Sequence, residues 1–140
     1  MALNLPSVLI ALSAATLLSL GLAHLLFTFH GNKFDPCDPG LKAGMMAISP
    51  VISQQTTMWR AWIGFNYSHS FGAILFGLVY GYLSLWHGAF LFDSWFLLGL
   101  GLLLLLACVV VGKVYWFGTP FRGIVLAAVL YGLGLVLHFI

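Results

Sequence analysis

Apolar side chains run through this chain in four long stretches: from about Leu5 to Phe29, Trp59 to Trp86, Trp95 to Gly112 and Gly123 to Ile140. Each reaches or nearly reaches the roughly 20 residues that cross a ~30 Å hydrocarbon slab. Lipid offers no partner for free backbone N–H and C=O groups, so the stretches are expected to be helices. A transmembrane barrel would need polar residues at alternate positions, and the unbroken run from Leu102 to Leu106 excludes that. The expected fold is all-α, an integral membrane four-helix bundle formed as a single transmembrane domain over residues 1–140. The first stretch lacks a basic leader and a small-residue cleavage site, so it is expected to be a retained helix.

The polar breaks refine the boundaries. Residues 30–49 form the long first loop, in which Asp35-Pro36-Cys37-Asp38-Pro39-Gly40 is a run of turn formers, each Asp able to close an Asx-turn before its proline. Leu41, Met45 and Ile48 fall at i, i+4 and i+7, the spacing of a short interfacial helix. Ser49-Pro50 has the form of an N-cap followed by proline at the first helical position. The spans are therefore expected at about 5–29, 50–86, 95–116 and 122–140. A helix from 50 to 86 would be roughly 55 Å long and would overshoot the bilayer.

Composition agrees with this pattern. The chain is 62% hydrophobic and only 6% charged, against roughly a quarter charged in soluble domains. Five Lys/Arg and three acidic residues cannot build the basic face of a nucleic-acid binder. Where the charges lie matters more than their number. Lys33, Lys42 and Arg60 lie in or beside the first loop and Lys113 and Arg122 beside the third, while the N-terminal end and the second loop carry no Lys or Arg, only Asp93 and His87. The positive-inside rule then puts loops one and three in the cytoplasm and both termini on the non-cytoplasmic side. Trp59, Trp62, Trp86, Trp95, Tyr115 and Trp116 fall where interfacial aromatic belts belong.

Polar groups at membrane depth are costly, so they are the first functional candidates. They gather on the second span as Asn66, Tyr67, Ser68, His69 and Ser70, with Asn66 and His69 on a face continued by Ala73, Gly77 and Tyr80. The first span offers Gly21, His24 and Thr28 as a matching stripe. Three readings stand for Asn66, His24 and His69: hydrogen bonds that fix the bundle, a site for a substrate or lipid head group, or, for the two histidines, cofactor ligands to a haem or chlorin held between facing helices. Gly64, Gly72, Gly77 and Gly81 are the candidate helix-packing positions. Arg60, Asn66 and Arg122 are candidates for an anionic ligand or lipid head group, and the two arginines have the alternative role of anchoring the chain to anionic lipid. No metal site is expected, because no zinc-spaced cluster is present, and Cys37 and Cys108 form no Cys-x-x-Cys pair. No acidic residue lies inside a span, so a proton-coupled transporter would lack its usual carboxylate.

The layout resembles the MAPEG family of membrane-bound glutathione transferases and eicosanoid enzymes. The stretch Arg60-Ala61-Trp62-Ile63-Gly64-Phe65-Asn66-Tyr67-Ser68-His69 is similar to that family's Arg-Ala-x-x-Asn-x-x-Glu motif, with His69 standing where the family has Glu. Pro120-Phe121-Arg122 resembles the Pro-x-Arg that opens the fourth helix in some members. The resemblance implies a homotrimer that joins a thiol cofactor such as glutathione to a lipophilic substrate, with Arg60, Asn66, His69 and Arg122 near a cytoplasmic-side cavity. The Met58 to His69 stretch also resembles a group of small bacterial four-helix membrane proteins to which no activity attaches. On that resemblance the expected location is the bacterial cytoplasmic membrane.

Little extramembrane mass, apolar helix faces and small-residue stripes favour a non-catalytic accessory subunit of a larger membrane complex, in contact with lipids and other membrane subunits. The MAPEG-like enzyme is the alternative.

Overall fold

The computed structural model describes residues 4–140. Among the described residues six helices follow one another: α1 (Leu5–Phe29), α2 (Pro39–Ala47), α3 (Met58–Trp86), α4 (Gly88–Asp93), α5 (Trp95–Tyr115) and α6 (Gly118–Phe139). The described residues contain no strand. Helices α1, α3, α5 and α6 are each long and apolar enough to cross a membrane. The chain is thus all-helical with four candidate spans, as the apolar pattern implies.

The expected helix start at residue 50 is corrected. Helix α3 begins at Met58 because Thr57 is its cap: the Thr57 Oγ1 accepts from the Arg60 N–H at 3.3 Å, and the Thr57 carbonyl accepts from the Ala61 N–H at 2.9 Å. Residues 49–57 instead form a closed loop, in which the Met58 N–H donates to the Ile48 carbonyl at 2.8 Å and the Ser53 N–H to the Pro50 carbonyl at 3.1 Å. The 29 residues of α3 then measure about 43 Å at 1.5 Å each, close to the full bilayer thickness rather than beyond it.

The short helix in the first loop is present, and its start has a local cause. Asp38 is its N-cap, accepting from the Gly40 N–H at 2.8 Å, and Pro39 opens the first turn, where it costs no hydrogen bond. Leu41 and Ile48 remain exposed and Met45 is half-buried, so the apolar stripe of α2 is not buried within the chain. Helix α6 starts at Gly118 rather than 122, since Pro120 is tolerated inside a first turn. The six-residue α4, between the second and third spans, has no counterpart in the sequence reading.

The chain divides into two compact units, residues 4–20 with 73–140 and residues 21–72. The first has an apolar core of Ile10, Ala14, Leu17, Phe76, Tyr80, Leu91, Leu98, Leu105, Ile124, Ala127 and Tyr131. Polar groups within it satisfy backbone carbonyls: Tyr80 Oη donates to Leu97 O at 2.7 Å, Tyr131 Oη to Leu98 O at 3.0 Å and Ser13 Oγ to Ala127 O at 2.7 Å. Each carbonyl has a second lone pair free for this bond, so the helix ladder is not broken.

Close helix approach depends on glycine here. A Cβ at Gly77 would stand 2.5 Å from the Leu18 Cβ and 2.8 Å from the Ala14 carbonyl oxygen, so α1 and α3 meet backbone to side chain at that point. Gly81 faces the same helix, with the Ala14 Cβ at 3.7 Å. Other close approaches are made at Gly101 against Tyr131 and Tyr80, Gly123 against Leu20, and Gly134 against Ile10; Gly101 and Gly123 were not singled out from the sequence as packing positions.

Candidate functional site

The second unit, residues 21–72, carries the polar cluster. Asn66 lies on the inward face of α3, buried, and its amide orientation is set by its own helix. Asn66 Nδ2 donates to the Trp62 carbonyl at 2.9 Å, an oxygen that can only accept. The other end of the amide, Oδ1, is therefore the acceptor presented to His24 Nε2 at 3.2 Å. It follows that His24 carries its proton on Nε2, whatever its charge. Each helix adds a bond to the turn before it: Ser70 Oγ donates to Asn66 O at 3.0 Å on α3 and Thr28 Oγ1 to His24 O at 2.8 Å on α1. In a lipid-surrounded segment an interhelical bond such as His24–Asn66 adds about 0.6 kcal/mol on average, enough to set register without dominating stability.

His24 and His69 do face one another, with ring centroids 5.3 Å apart and planes at 77°. This is direct edge-to-face contact. Two axial imidazoles on one haem or chlorin stand on opposite faces of the macrocycle, with its plane between them. His24 and His69 leave no such gap, and the Nε2 that would ligate iron is already held by Asn66. The pair as arranged does not fit that group. No cluster of three or more His, Cys, Asp or Glu able to hold a metal occurs among the described residues.

The other candidates separate. Arg60 is exposed while Asn66 is buried, because six residues of helix turn the chain by roughly 600° and leave the two side chains about 120° from alignment. Arg122 belongs to the other unit, is exposed, and lies beside Gly118 on its own helix. Gly64 and Gly72 have nothing within 4 Å of a built Cβ among the described residues, unlike Gly77 and Gly81.

Two residues that the sequence reading did not place in the site complete it. Phe34, in the first loop, sets its ring 4.6 Å from that of His24, tilted at 55°. Trp62, assigned from sequence to the aromatic belt, donates its indole N–H to the Phe34 carbonyl at 3.1 Å. The available signal was Phe34 itself, a large apolar residue between Lys33 and Asp35 in an otherwise polar turn.

Around this pair the loop folds into an open pocket of about 390 Å³, lined by Lys33, Phe34, Asp35, Pro36, Met45 and Trp62. Asp35 forms no Asx-turn bond there. Its Oδ2 pairs with Lys42 Nζ at 2.8 Å, and the same ammonium lies 4.7 Å from the Trp59 ring centre. Both side chains are partly exposed, so the ion pair contributes on the order of 0–1 kcal/mol.

No protein-family model, curated protein or solved structure matches this chain.

Proposed function

We propose that the protein is a non-catalytic subunit of a larger membrane assembly, and that the outer face of α3 is where another transmembrane helix packs. One observation carries this reading. Helix α3 bears two small-residue stripes, and among the described residues one is filled and the other is open. Gly77 and Gly81 lie against α1. Gly64, Ser68 and Gly72, spaced four residues apart, are exposed, and nothing stands within 4 Å of either glycine's built Cβ. In lipid, where burying apolar surface drives little association, small residues at this spacing let two helix backbones approach closely.

In this reading loops one and three face the cytoplasm, with both termini opposite, because all five basic residues flank those loops. A bacterial inner membrane fits the same charge bias. The division of Arg60, Asn66 and Arg122 among different faces and units gives the thiol-transferase alternative no specific support.

The test is extraction in mild detergent, with particle mass measured for the wild type and for Gly72→Leu. A particle containing other chains that dissociates in Gly72→Leu, with helical content unchanged, supports the assembly role. A wild-type particle made of this chain alone overturns it, and one of three copies of the 15.3 kDa chain would return attention to a homotrimeric enzyme.

A further inference from the structure

We propose that the pocket between the first loop and α3 binds an anionic amphiphile, its phosphate or carboxylate at Lys33 and its apolar part against Met45 and Trp62. This does not depend on the assembly role of α3.

The charges on the wall favour an anion. Asp35 is the acidic residue lining the pocket, and it is neutralised by Lys42 at 2.8 Å. Asp38 is engaged at the N-terminus of α2, where it accepts from Gly40 N–H. Lys33 is exposed and has no acidic partner among the described residues, so the pocket carries one uncompensated cation. The rest of its wall is Phe34, Pro36, Met45 and Trp62, which are apolar or aromatic. A single positive charge above apolar walls matches a ligand with one anionic head and a hydrocarbon body.

Depth and neighbours favour a lipid source over a solute from water. Lys33 follows the end of α1 at Phe29 by four residues, and Trp62 lies in the second turn of α3. The pocket therefore sits at the level where two candidate spans leave the hydrocarbon. The loop that forms it also exposes Leu41, Met46, Ile48, Val51 and Ile52, the last two almost completely (104% and 94%). Such side chains on a loop joined at both ends to spans belong at the headgroup–acyl boundary. A volume of about 390 Å³ is within the usual range for small-ligand sites and takes a head group with the first carbons of its chains. The wall is held in place: Trp62 is bonded to Phe34, and the Phe34 ring rests on His24.

The test is native mass spectrometry of the full chain in neutral detergent, after addition of phosphatidylglycerol, phosphatidylcholine or inorganic phosphate. One phosphatidylglycerol is expected to be retained in preference to phosphatidylcholine. Lys33→Gln should lower that retention roughly fivefold, the effect of one lysine at an anionic surface. Met45→Trp, which fills the pocket and leaves Lys33 in place, should lower it as well, while Lys113→Gln should not. Circular dichroism would confirm that each variant keeps its helices. Equal retention of the two lipids, or unchanged retention in Lys33→Gln, overturns the proposal. Displacement of the lipid by millimolar inorganic phosphate would also overturn it, assigning the pocket to a small soluble anion instead.

Discussion

The indole N–H of Trp62 donates to the backbone carbonyl of Phe34 across 28 positions of sequence, at 3.1 Å. This bond ties the first loop to α3 and holds the Phe34 ring against His24. It links the polar cluster of His24 and Asn66 to the pocket beside it, within one unit of the chain.

Removing that donor should loosen the loop without unfolding the helices. Trp62→Phe keeps an aromatic ring but leaves the Phe34 carbonyl to water. A stability loss of about 0.5–1 kcal/mol is expected, with faster amide hydrogen exchange over residues 30–37. Exchange identical to the wild type would show that the bond does not hold the loop.

The His24–Asn66 bond should have a measurable coupling. Asn66→Leu and His24→Phe are each expected to destabilise, and a double-mutant cycle should return about 0.6 kcal/mol, the mean for interhelical bonds in lipid. A coupling indistinguishable from zero in a reversible unfolding assay would reduce the contact to proximity.

Two glycines on α3 should respond in opposite ways to the same substitution. Gly77→Ala places a methyl group against the Leu18 Cβ and the Ala14 carbonyl, and should destabilise by about 1–3 kcal/mol. Gly72→Ala meets open space and should leave the isolated chain as stable or about 0.5–1 kcal/mol more so, by helix propensity. Thermal melts in one detergent compare them directly; equal destabilisation would contradict the assignment of the two faces.

Tyr131 should depend on its hydroxyl less than on its ring. Tyr131→Phe loses the bond to Leu98 O at a cost of about 1 kcal/mol. Tyr131→Ala also empties a fully buried ring site and should cost about 3–5 kcal/mol. Similar losses in the two variants would mean that the ring contributes little to packing.

How much of this was legible in the sequence varies by element. The spans were, because a helix in lipid is dictated by the length of an apolar run, which needs no knowledge of neighbours. The face shared by Asn66, His69, Ala73, Gly77 and Tyr80 was also legible, since helical periodicity alone fixes which positions align. The start of α3 was not. Ser49-Pro50 and Thr57 both have cap chemistry, and the choice rests on loop closure between Ile48 and Met58, a contact ten residues apart.

The candidate site divides along the same line. The sequence by itself determined that this is a chain with four candidate membrane spans, with its polar residues concentrated on one of them, because burial in lipid penalises each polar group one at a time. Only the tertiary structure decided what those groups do. It set His24 against His69 with no gap for a macrocycle and gave Asn66 to His24. It left Gly64 and Gly72 open while Gly77 met α1, and it built a pocket from Lys33, Met45 and Trp62. Each of these outcomes depends on where a second segment of chain comes to rest, and periodicity along one helix carries no information about that.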